Sequence, residues 1–172
     1  NPVSFETQWE TSLAPGAQPY WLAFSPDGRR VYAPSKVDTL TVLDAATGKR
    51  LNSISGLENI LDGIAVSPDG RLIALCQKVK LSVRRAEDLQ ELWSVAALPE
   101  RCATFSPDGK WIATGDQDGA VSLWEVASAG RVRRALRGHA ASVSGVSFHP
   151  DGTRLVSCSF DGRIKIWDWR EG

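Results

Sequence analysis

A histidine, a serine and an aspartate with the makings of an acyl-transfer triad lie near the C-terminus of this chain. His139 stands in GHAASVSG, Ser157 in LVSCS and Asp161 in SFDG, and Trp167 follows six residues on. A triad needs a serine that a substrate can reach, an imidazole to take its proton, a carboxylate to orient the imidazole and amides to hold the oxyanion. The usual setting is a sharp elbow with the pattern Gly-x-Ser-x-Gly, and LVSCS has neither glycine. The same side chains can instead close a structural network. An indole N–H only donates, a hydroxyl donates and accepts, a neutral imidazole does one at each nitrogen, and a carboxylate accepts. Bracing is the favoured reading. A hydrolase using Ser157, His139 and Asp161 is the alternative.

The other reactive side chains point to no chemistry. GDQDG, residues Asp116–Gly119 with Gly115 before them, resembles the start of a calcium loop, but the twelfth position holds Ala127 in place of the bidentate Glu. His149 and Asp151 belong to a turn and are read as solvated. Cys76, Cys102 and Cys158 are odd in number, widely spaced and without a CxxC pair. Free thiols in a reducing compartment, hence a cytoplasmic protein, are the expectation. Cys76 and Cys158 are expected to be buried against a neighbouring sheet. GRVRRALRG carries four arginines between Arg131 and Arg137; the favoured reading is an outer strand whose charges discourage edge-to-edge pairing. No metal and no cofactor are expected.

What must position these residues is a repeat. SPDG begins at Ser25, Ser67 and Ser106, and HPDG begins at His149. Pro presets φ at the second turn position and Gly takes the left-handed one, so each phrase predicts a hairpin. An apolar run precedes each turn (YWLAF, DGIAV, RCATF, VSGVSF) and another follows it (RRVYAPS, RLIALCQ, KWIATGD, TRLVSCS). Then comes an alternating strand: TLTVLD, KLSVRR, AVSLWE and RIKIWD. A more polar fourth strand follows in three units, as KRLNSIS, LQELWSV and RVRRALR. The prediction is all-β, in units of about 40 residues with four antiparallel strands each.

The 172 residues are 42% hydrophobic and 23% charged with zero formal net charge. These are globular values, and neutrality argues against a dedicated nucleic-acid or anionic-membrane binder. No apolar run reaches the roughly 18 residues of a membrane span. Methionine is absent altogether, which is read as a sign that the chain is a segment of a longer or processed product.

The unit GHAASVSGVSFHPDGTRLVSCSFDGRIKIWDW, with its Gly-His start and Trp-Asp finish, resembles the WD-repeat β-propeller family. RCATFSPDGKWIATGDQDGAVSLWE is similar but lacks the His. FSPDGRRVYAPSKVDTLTVLDAATGK looks more like bacterial Tyr-Val-type propeller repeats, and VSPDGRLIALCQKVKLSVRRAEDLQ keeps little beyond the turn. The resemblance implies one propeller domain over residues 1–172: a lone outer strand and linker at 1–15 and blades at 16–57, 58–97, 98–138 and 139–172. The last blade has three strands, and Ser4–Thr11 could supply its fourth. Three closures stay open: a piece of a larger ring, four blades closed on themselves, or two copies joined into eight blades.

For the site residues, the resemblance implies a structural tetrad of His139, Ser157, Asp161 and Trp167, with Thr114, Asp118 and Trp124 as a partial set. Leu43 and Arg84 stand where Trp would in the first two units, whose blades are expected to be less well tied. Loss of Trp167, taken as a core aromatic, is expected to cost about 3–5 kcal/mol. The resemblance also implies a non-catalytic scaffold for a protein or peptide partner, or for another domain of its own chain. Self-association could complete the ring, and a ring-completing segment without its own binding site is the further alternative. The partner-binding face would comprise Gln18, Tyr20, Lys36, Ile60, Asp62, Lys78, Pro99, Arg101, Gln117, Ser142, Ser144 and Phe160. Phe160 is the most informative of them, because an aromatic ring in a turn wastes apolar surface unless something covers it.

Overall fold

A computed structural model describes residues 6–13, 19, 21–35, 38–57, 61–96 and 100–170. Among these the regular structure is strand alone, in four antiparallel sheets. Blade 1 contains β1 (Ala23–Phe24), β2 (Arg30–Pro34), β3 (Leu40–Asp44) and β4 (Arg50–Ile54). Blade 2 contains β5 (Leu61–Val66), β6 (Leu72–Gln77), β7 (Lys80–Arg85) and β8 (Glu91–Ala96). Blade 3 contains β9 (Glu100–Phe105), β10 (Trp111–Asp116), β11 (Ala120–Glu125) and β12 (Arg131–Arg137). Blade 4 has β13 (Val143–Phe148), β14 (Arg154–Ser159) and β15 (Ile164–Asp168). Within each sheet, strands pair in chain order, so every blade is a meander.

Three of the four repeated turns are locked identically. Ser67 Oγ donates to Asp69 Oδ1 at 2.6 Å and accepts the Leu72 amide at 2.9 Å, while Asp69 Oδ1 accepts the Arg71 amide at 3.0 Å. Ser25 and Ser106 repeat these bonds. The serine bond and the following amide hold the Asp27 and Asp69 carboxyls below their ordinary range. In the fourth turn His149 replaces serine. Its imidazole Nδ1 lies 3.3 Å from the Asp151 amide and 2.9 Å from Asp151 Oδ1, and the Thr153 amide and hydroxyl donate to the same carboxylate oxygen.

The core lies between blades, not within them. Along β6, Ile73 and Leu75 pack toward blade 1, and the alternate residues Ala74 and Cys76 pack toward blade 3. β10 does the same with Ile112 facing blade 2 and Ala113 facing blade 4. A strand buried on both faces reads as a continuous apolar run, which is why LIALC and WIATG show no alternation.

Blade 4 breaks the pattern. Leu155 and Ser157 on β14 are buried facing blade 3, but Val156 and Cys158 face outward and are exposed. The expectation of a buried Cys158 is therefore corrected. Cys76 is covered because blade 3 packs on that face, and among the described residues no blade packs on the outward face of blade 4. Nor do the described residues of Ser4–Thr11 pair with β15: residues 6–11 form no strand, and Trp9 Nε1 donates to the Ala45 carbonyl of blade 1 at 2.9 Å.

Candidate functional site

The four residues of the C-terminal set come together across blade 4. Ser157 lies on β14 and Trp167 on β15. His139 precedes β13, and Asp161 sits in the β14–β15 turn. Trp167 Nε1 donates to Ser157 Oγ at 2.8 Å. Ser157 Oγ lies 2.8 Å from His139 Nε2, and His139 Nδ1 lies 2.9 Å from Asp161 Oδ2. One proton arrangement satisfies every atom: indole to hydroxyl, hydroxyl to Nε2, and Nδ1–H to carboxylate. The Ala140 amide donates to Asp161 Oδ2 and the Arg163 amide to Oδ1, both at 2.9 Å. The Ala140 amide, then the His139 bond and the Arg163 amide, outweigh the opposing effect of burial and draw the Asp161 carboxyl down to about 2.

This wiring is also that of a resting acyl-transfer triad, so distances do not separate the two readings. Accessibility does. Ser157 is 1% exposed, the His139 imidazole is fully buried, and the serine oxygen is held between an indole and an imidazole. A substrate carbonyl has no line of approach to it. Trp167 itself is only half-buried, packed against the blade 3–blade 4 core. Its loss therefore costs less than a core aromatic would.

In blade 3, Trp124 Nε1 donates to Thr114 Oγ1 at 2.8 Å, with both residues buried. Asp118 is exposed. The carboxylate that organises the turn is Asp116, two residues earlier, whose Oδ1 accepts the Asp118 and Ala120 amides at 2.9 and 2.8 Å.

The sheet register puts Leu43, Arg84, Trp124 and Trp167 at one position, opposite Val31, Ile73, Ile112 and Leu155. Blades 1 and 2 are tied by other bonds. Arg84 donates to the Leu89 carbonyl and to Glu91, Ser82 Oγ donates to buried Gln77, and Ser35 and Thr39 share a hydroxyl bond of 2.7 Å.

The last residue before the second-to-third strand turn is thus polar and buried in every blade: Ser35, Gln77, Asp116 and Ser159. Sequence reasoning missed it, although APS, LCQ, TGD and SCS, aligned on the turns, display it.

Gln18, Tyr20, Lys36, Ile60 and Pro99 fall outside the described residues, as does the Asp62 side chain. Of the remaining rim residues, Lys78, Arg101, Gln117 and Phe160 are exposed, and Ser142 and Ser144 are half-buried. Lys78, Gln117 and Phe160 occupy the second-to-third strand turns of successive blades, on the same rim of the arc where the first strands begin. Phe160 is 70% exposed on a turn fixed by its own amide to the Ser142 carbonyl at 3.0 Å. The arginine-rich stretch is β12, the outer edge of blade 3, where Arg134 donates to the Trp169 carbonyl at 2.9 Å.

The model of the WD domain, G-beta repeat, matches residues 93–125 and 130–168. Each match begins on or just before the outer strand of one blade and runs through the first three strands of the next. The chain is 28% identical over 146 residues to the nuclear distribution protein nudF of Aspergillus niger, covering 85% of this chain and 28% of that one. It is 32% identical over 152 residues to apoptotic protease-activating factor 1 of Mus musculus, covering 87% and 12%. It is 31% identical over 139 residues to the WD repeat-containing protein sll1491 of Synechocystis, covering 79% and 40%. The chain thus spans less than half the length of each of these relatives.

Proposed function

This chain belongs to the WD-repeat family, and from that premise we propose that it is a non-catalytic scaffold holding a rigid rim of strand-to-strand turns against a partner protein or peptide. The observation that carries the reading is the enclosure of Ser157. Its oxygen bonds to Trp167 and His139 inside blade 4, so the one triad-like set in the described residues serves as a brace. Bracing fixes the β14–β15 turn and with it Phe160, whose ring is held outward before any partner arrives. A preorganised aromatic loses little entropy on binding, which suits it as an interface anchor. Lys78, Arg101 and Gln117 supply polar contacts along the same rim.

The test is selection of random displayed peptides on the immobilised chain. Peptides bound at the rim lose at least about tenfold in affinity with Phe160→Ala and keep it when Leu92, an exposed residue on the outer strand of blade 2, becomes Ala. Peptides indifferent to Phe160, Lys78 and Arg101 would overturn the rim reading. Turnover of activated esters that vanishes in a folded Ser157→Ala chain would overturn the non-catalytic one.

A further inference from the structure

The SPDG turns stand at the edge of the blades opposite the rim, and beside the first two of them lies an open groove of about 960 Å³. Its walls are the 25–32 segment of blade 1 and the 68–72 turn of blade 2, with Arg85 and Glu87 beyond that turn. Both blades have all four strands, so the groove lies at a junction internal to the chain. It exists because of what stands at two aligned positions. By register Arg30, Leu72, Trp111 and Arg154 are equivalent, each opposite the last residue of the third strand. The residue after that strand is Ala45, Ala86, Val126 or Trp169. At the junction of blades 3 and 4 the two positions meet as Trp111 and Trp169, edge to face with ring centroids 5.6 Å apart. At the junction of blades 1 and 2 they meet as Arg30 and Ala86. There the Arg30 guanidinium donates to the Ala86 carbonyl at 3.3 Å, and a methyl group replaces an indole.

The floor is Tyr32. Its counterparts by register are Ala74, Ala113 and Val156, so of the four blades blade 1 alone puts a hydroxyl at this position. Tyr32 is fully buried, yet its hydroxyl bonds to none of the described residues. A buried hydroxyl without a partner is destabilising, and this one lines the groove. Above it the guanidinium groups of Arg29, Arg30, Arg71 and Arg85 face the carboxylates of Asp27, Asp69 and Glu87. Asp27 and Asp69 are committed to the serine hydroxyl and the amide of their own turns. Arg85 is committed to Asp88 and Gln90. The Arg29 and Arg71 side chains, exposed at equivalent turn positions, have no hydrogen bond or ion pair among the described residues.

We propose that this groove binds an acidic peptide segment, Arg29 and Arg71 each gripping a carboxylate while the Tyr32 hydroxyl donates to an oxygen that reaches the floor. A guanidinium fork matches a carboxylate in plane and can hold both its oxygens at once. The space is that of a site for several side chains and far exceeds what a lone inorganic anion fills. Pro26, Pro68 and Leu72 give apolar cover between the charges. Both arginines project from turns already locked by Ser25 and Ser67, so neither backbone has to order on binding. This goes beyond the rim reading, because the groove uses the first-to-second strand turns and the rim uses the second-to-third.

Fluorescence anisotropy tests it, with the whole chain titrated into a fluorescein-labelled, glutamate-rich peptide that carries one central leucine. Arg29→Glu and Arg71→Glu are each expected to weaken binding at least about tenfold. Both side chains are exposed, so the variants keep the strand signal in circular dichroism. Tyr32→Phe keeps the ring and deletes the hydroxyl, and is expected to weaken binding about threefold. Since that hydroxyl is unpaired in the free chain, the same variant should melt no lower than the wild type. Arg137→Glu makes an equal charge change on the exposed edge of blade 3 and should leave the affinity as it is. An equal loss with Arg137→Glu would show that the peptide reads overall charge, and a loss that follows Phe160→Ala would place it on the rim; each result overturns the proposal. Affinity indifferent to Arg29, Arg71 or Tyr32 would overturn it, as would a lower Tm for Tyr32→Phe. Displacement of the peptide by an equal concentration of inorganic phosphate would overturn it in favour of a small-anion site.

Discussion

Trp167 contributes one hydrogen bond and a partly covered ring, and Phe in its place keeps much of the ring while deleting the donor. The cost is about 1 kcal/mol, or a fall in Tm of about 2–4 °C. Trp124→Phe should cost more, since the Trp124 ring is itself buried where that of Trp167 is half-covered; equal melting temperatures for the two variants would contradict this. Asp161 adds a pH dependence whose sign is fixed by its carboxyl, lowered from 3.8 to about 2. The unfolded chain binds that proton first as pH falls, so the stabilisation is complete above about pH 4 and is lost as pH drops through 2. Asp161→Asn removes this contribution. The gap between wild-type and variant denaturation midpoints should be full at pH 6 and shrink between pH 4 and 2. A gap that is constant with pH would show that the carboxylate charge is not what braces the turn.

At the level of the elements, the serine of each repeated turn closes two bonds at a part-buried site. Ser67→Ala therefore leaves the Leu72 amide unpaired and should cost about 1–2 kcal/mol. His149→Ala should cost less, because that imidazole is exposed and its bond to the Asp151 amide is long. Comparable urea midpoints for the two would argue against the turn lock. The same turns made the blades legible in the sequence, because the geometry is local: Pro, Asp and Gly at fixed offsets dictate a hairpin whatever lies around it. The Trp167–Ser157–His139–Asp161 chain could be read from donor and acceptor types for a similar reason. Cys158 was misjudged because burial of an outward face belongs to the neighbouring blade, which no strand pattern encodes. Asp118 fits the spacing of the set, yet Asp116 organises the turn, because a carboxylate at the end of β10 reaches the Asp118 and Ala120 amides directly.

For the molecule as a whole, each core joins only adjacent blades, so stability is a sum of blade terms and nearest-neighbour junctions. Blades 2 and 3 have junctions on both sides. Among the described residues blade 4 has one, and there β15 has no strand beyond it and an exposed outward face. Protection from hydrogen exchange should follow this asymmetry. Amides of β6, β7, β10 and β11 should open only with global unfolding, whereas β15 should exchange by local loss of blade 4 at lower free energy. Uniform protection across the four blades would mean that they unfold as one unit, so the additive picture can be judged by comparing the amides of β15 with those of β11.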